Sequence, residues 1–108
     1  MNGPRKYPTE IQTHPNREPW PLVWRRQLPG KDTCGLCDSA EHAIYLKLKE
    51  PRMDTFHYLI HEMLHCIEAD YSFEIDHRVI YQLQEPLAQM IILNLPAFLQ
   101  ICHGKNGI

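Results

Sequence analysis

The chain has no large charge excess of either sign: eleven basic residues stand against thirteen acidic ones, a formal net charge of −2. That leaves no global field to draw in nucleic acid or an anionic membrane surface, and the pair Arg25, Arg26 is too short to create one. No apolar run approaches the roughly 20 residues that a bilayer span requires, and the opening "MNGPRKYPTEIQTHP" has no apolar leader core. The expectation is a cytoplasmic protein with neither membrane nor nucleic acid among its partners. Cysteine is sparse, four residues at 34, 37, 66 and 102, so a disulfide scaffold is not expected and the thiols read as reduced. At 108 residues there is room for one domain with one modest core.

Proline is abundant where the rest is thin. Six prolines fall between positions 4 and 29, which excludes a long helix there. Residues 1–19 are expected to form an extended arm, residues 20–102 the single domain, and residues 103–108 a flexible tail. "WPLVWRRQL" has the aromatic and β-branched content of a strand ending at the Pro29-Gly30 turn, "CGLCD" is a second extended piece, and "SAEH" reads as a turn. "AIYLKLK" then alternates, with Ile44, Leu46 and Leu48 on one face and Tyr45, Lys47 and Lys49 on the other, as a half-buried strand does.

From about Asp54, an N-cap candidate, the period changes. Apolar residues at 56, 59, 60, 63, 64 and 67 predict a central, buried helix. A loop, "YSFEI", leads to a second helical pattern from about Asp76, which Asn94 and Pro96 are expected to end or bend. The fold class expected is α+β: a sheet of about three strands against a central helix, with a second helix packed behind. Cys66, within the first helix pattern, reads as a small buried hydrophobe. Cys34, Cys37 and His42 lack the fourth ligand that a closed zinc site needs, so packing is the reading preferred there.

"HYLIHEMLHCIE" places His57, His61 and His65 within nine residues. His61 and His65, four apart, project from one helix face and can each give a nitrogen to one ion. Glu62 lies about 100° around the helix, where it can reach a water on the metal without itself coordinating, so it is the expected general base. Two histidines and a glutamate in an otherwise apolar helix would each cost about 1–3 kcal/mol if left unpartnered, and coordination removes that cost. His57 lies a turn toward the N-terminus, outside the expected ligand set. For the third ligand, Glu85 interrupts the apolar stripe of the second helix and is preferred. His77 remains the alternative, and Glu68 reaches back along its own turn. Tyr71, His77 and Tyr81 are candidate donors to a transition-state oxyanion.

His61-Glu62-Met63-Leu64-His65 followed by Glu85 resembles the gluzincin zinc metallopeptidases. With "CGLCD", "AIYLKLK" and "VIYQLQEPLAQMI" in that order, residues 20–95 resemble the short, single-domain metallopeptidase-like proteins of phage and prophage genomes. The resemblance implies a zincin-like fold, Zn2+ held by His61, His65 and Glu85, and Glu62 as base. It implies hydrolysis of a peptide or protein substrate, with "AIYLKLK" as the edge strand that receives an extended peptide. The place where gluzincins often carry an orienting acid is Gln89 here, and Pro86 predicts a kink or restart next to Glu85. A non-catalytic, zinc-containing protein-binding module is the alternative.

Overall fold

The computed structural model describes residues 7–30, 32–48 and 53–103. Its elements are four strands, β1 (Glu10–Ile11), β2 (Trp20–Arg25), β3 (Gly35–Asp38) and β4 (Ala43–Lys47), followed by two helices, α1 (Met53–Tyr71) and α2 (His77–His103). The α+β class is as expected, with one strand more than anticipated. The extra strand is β1, two residues that pair antiparallel with β2 from within the segment expected to be an arm.

The sheet order is β1-β2-β4-β3, with β2 and β4 parallel and β3 antiparallel to β4. The strand expected at the edge, β4, is therefore central. The hairpin joining β3 to β4 turns on Asp38, whose Oδ1 accepts from the backbone N–H groups of Ala40 and Glu41, both at 3.1 Å. His42 closes the turn in the left-handed region at φ 56°. β3, at the free edge, lies against α1.

Alternation along the strands builds the core. Trp20, Leu22, Ile44 and Leu46 point to one side and meet Cys66 of α1, and all five are buried. Cys66 is thus the buried hydrophobe expected, whereas Leu48, beyond the end of β4, is exposed. Each such aliphatic contributes about 1.5–3 kcal/mol by leaving water. At the far end of α1, Asp70 Oδ2 accepts from Trp20 Nε1 at 2.9 Å and Thr13 Oγ1 at 2.5 Å, which pins the N-terminal segment to the helix. His42 stacks on the Trp20 ring with centroids 4.0 Å apart, so it is a packing residue beside β2.

α1 begins one residue before the expected cap, so Asp54 lies in its first turn. It ends in a Schellman arrangement: Ser72 is left-handed at φ 57°, and Phe73 N–H donates to Glu68 O at 3.3 Å. Asp76 caps α2, its Oδ1 accepting from Arg78 N–H at 2.9 Å. α2 does not end at Asn94 or Pro96. It runs through Pro86 and Pro96 to His103. The carbonyls that those prolines leave without an intrahelical donor belong to Gln82 and Ile92, which are both exposed, so water can satisfy them. By length and composition α2 could cross a membrane, at a mean hydropathy of 1.3 over 18 residues of which 6% are buried.

Candidate metal centre

The helical spacing does what it predicts for α1: His61 is buried, His65 half-buried, and their ring centroids are 5.0 Å apart. α2 crosses this face with His77, Tyr81 and Gln84, residues one and two turns apart on one side of the helix. His77 completes a group of three imidazoles whose ligand atoms all lie within 4.8 Å of one another. Glu85, one residue past Gln84 and so about 100° further around, is exposed on α2 and stands outside the group. Of the two candidates for the third ligand, His77 stands with His61 and His65 and Glu85 does not, because Ile80, Gln84 and Ala88 pack inward and set the phase of α2. His57 is also outside the group, and its buried Nε2 has no hydrogen-bond partner among the described residues.

The two α1 imidazoles of the group are each fixed through the other nitrogen. His61 Nδ1 lies 2.7 Å from Gln84 Oε1, and His65 Nδ1 lies 2.7 Å from Glu68 Oε1. These acceptors place the proton on Nδ1 and turn the Nε2 lone pairs inward. His61 Nε2 and His77 Nε2 are 3.1 Å apart, close to the spacing of about 3.4 Å for two nitrogens sharing a zinc ion tetrahedrally. Burial, reinforced by the neighbouring His65 and His77, pushes the His61 pKa down against the Gln84 contact, so its lone pair stays available. Burial pushes the Glu68 carboxyl up, but the Ile75 N–H at 2.6 Å and His65 outweigh it and hold it below the ordinary value. Glu68 therefore stays charged and holds both the His65 imidazole and the loop that leads to His77. The group could hold a metal ion.

Glu62 is buried beside this group, and burial raises its pKa from 4.5 to about 7, against smaller opposing effects from His65 and the Cys37 backbone N–H. β3 presses close at Gly35, where an added Cβ would stand 3.0 Å from Glu62 Oε2 and 3.1 Å from its Cγ. Gly35→Ala is expected to push the Glu62 carboxyl aside while leaving the three imidazoles in place. Metal titration should then match wild type while any activity that depends on Glu62 falls. A variant with both unchanged would show the contact to be slack.

The raised Glu62 pKa has a stability consequence in the metal-free protein. The folded chain keeps a proton between about 4.5 and 7 that the unfolded chain releases, so this group destabilises the fold increasingly as pH rises through that window. The effect is on the order of 3 kcal/mol at 1.36 kcal/mol per unit. His61, with its lowered pKa, acts in the opposite sense, so the comparison is made against Glu62→Gln. Urea unfolding of the chelated proteins should show the variant gaining stability over wild type from pH 4.5 to 7. A constant difference across that range would contradict the assignment.

The imidazoles, Glu62, Glu68, Gln84 and Tyr81 open into a cleft of about 940 Å³ whose opposite wall is Cys34 and the first three residues of β3. Tyr81 packs its ring 4.8 Å from both His61 and His77, so of the three oxyanion candidates it faces the cleft without belonging to the imidazole group. Tyr71 is turned away, beneath Arg17. Sequence reasoning missed Gln84 and Gly35. The 77, 81, 84 spacing carries the first, whereas the second depends on how β3 meets α1 and has no local signal. No protein-family model matches the chain, and no curated protein or solved structure matches it.

Proposed function

We propose that the protein is a zinc-dependent peptidase. The observation that carries this reading is a buried carboxyl, Glu62, set beside three convergent imidazoles at the floor of an open cleft. A carboxylate held there is within reach of a water at the imidazole group and can take and return its proton. Bound by His61, His65 and His77, zinc would supply the charge that polarises a peptide carbonyl and acidifies water. Glu62 accepts the proton of the attacking water and passes it to the leaving amine. The Tyr81 hydroxyl is the donor for the charge that develops on the carbonyl oxygen. β3, the free edge along the cleft, offers backbone groups to an extended peptide, the role expected of β4 before its central position was known.

The alternative is a zinc-containing binding module that uses the same three imidazoles without turnover. The protein loaded with one zinc per chain, incubated with a peptide library and followed by mass spectrometry, separates the two. Chelator-sensitive cleavage supports the peptidase. A loaded, folded protein that cleaves nothing supports the module.

A further inference from the structure

α2 has an outer side that no described residue covers. Val79, Leu83, Met90, Leu93 and Ile101 are 39, 40, 57, 74 and 61% exposed, and they fall on one stripe at helical spacing. From Pro86 to Cys102 the helix contains no charged residue. Its one amide near the middle of the stripe, Asn94, turns back on its own helix, with Nδ2 donating to Met90 O at 2.9 Å. α2 also overhangs the body. Because Gln84 stands at His61 and α1 begins at Met53, the last eleven or so residues of α2, about 16 Å, have no α1 beside them.

From this surface we infer that the chain forms a two-fold dimer in which α2 packs antiparallel on α2 of a second copy, with Met90 at the axis. The register follows from the stripe. Val79 of one copy then faces Ile101 of the other, and Leu83 faces the small Ala97. The overhang of each copy lies against the 77–87 segment of its partner, which is seated on α1, so both ends of the pair rest on a folded body. Such an interface is isologous and closed, and no charge is buried in it. Residues 79–101 span about 33 Å along a helix about 10 Å wide. Counting both copies and the relief of interdigitating side chains, the burial comes to roughly 1,200 Å², the lower limit for specific, stable pairs. A membrane span fits less well, because the free part of α2 covers only about half of the roughly 30 Å hydrocarbon thickness.

Sedimentation equilibrium of the full chain should give twice the 12.7 kDa chain mass at micromolar concentration. Met90→Lys, at an exposed position, should keep the circular dichroism of wild type and raise the dimer dissociation constant by about 100-fold or more. The register is read by diamide oxidation in a Cys102→Ser background: Met90→Cys should cross-link to itself and Val79→Cys should not. The dimer is overturned if wild type remains monomeric at 100 μM. Self-cross-linking at both positions would overturn the antiparallel register. A chain that is monomeric in buffer yet binds 3:1 phosphatidylcholine–phosphatidylglycerol vesicles, and loses that binding in Met90→Lys, would assign the stripe to a membrane surface instead.

Discussion

Glu62→Gln is expected to lower peptide cleavage by 10²- to 10⁴-fold while leaving the bound metal in place, the span typical of losing a positioned general base. Glutamine keeps the shape that fits under Gly35 and can still accept from the Cys37 backbone, so α1 and its imidazoles have no reason to move. What is lost is basicity at one oxygen. The pair of readouts makes the outcome decisive: cleavage should collapse at constant zinc content and constant melting temperature in the loaded protein. Equal, zinc-dependent cleavage by both proteins would sink this role for Glu62 even with a genuine metal centre.

His61→Ala, His65→Ala and His77→Ala should each weaken zinc binding by more than the 10- to 100-fold typical of losing an outer hydrogen-bond partner, whereas Glu85→Ala should titrate like wild type. Each imidazole contributes one of three convergent atoms, and Glu85 contributes none. The stability effect is also large. Zinc at 100 times its dissociation constant stabilises a fold by about 2.7 kcal/mol, or about 10–20 °C in melting temperature for a domain of this size. Chelation of wild type should remove that increment, and the histidine variants should lack it from the start. If Glu85→Ala loses zinc and His77→Ala keeps it, the helix phase described for α2 is wrong in solution.

How far the sequence could be read depended on whether a residue's role was set by its own turn. His61, Glu62 and His65 are related by one helix, so spacing alone placed them, and the alternation of Ile44 and Leu46 placed β4. Glu85 and His77 are related to that helix only through packing. A charge in an apolar stripe suggested an inward carboxylate, but Gln84 takes the position that faces His61, and Glu85, about 100° further around α2, is exposed. The prolines misled for a similar reason. A proline is costly in a helix when the carbonyl it orphans is buried, and here those carbonyls belong to exposed residues, Gln82 and Ile92. The parallel pairing of β2 with β4, which moves β4 from edge to centre, is a long-range choice that no local pattern encodes.

Two of the three imidazoles share one helix and the third arrives from another, across a connection whose N–H at Ile75 is held by Glu68. An ion shared by His65 and His77 is therefore a clasp on a short chain loop, and its release requires that loop to loosen. Loops this short restrict their ends strongly, so the clasp and the hairpin should open as one event. Metal exchange should then be paced by separation of the two helices rather than by diffusion of the ion, and a protease probing residues 72–76 would report the same opening.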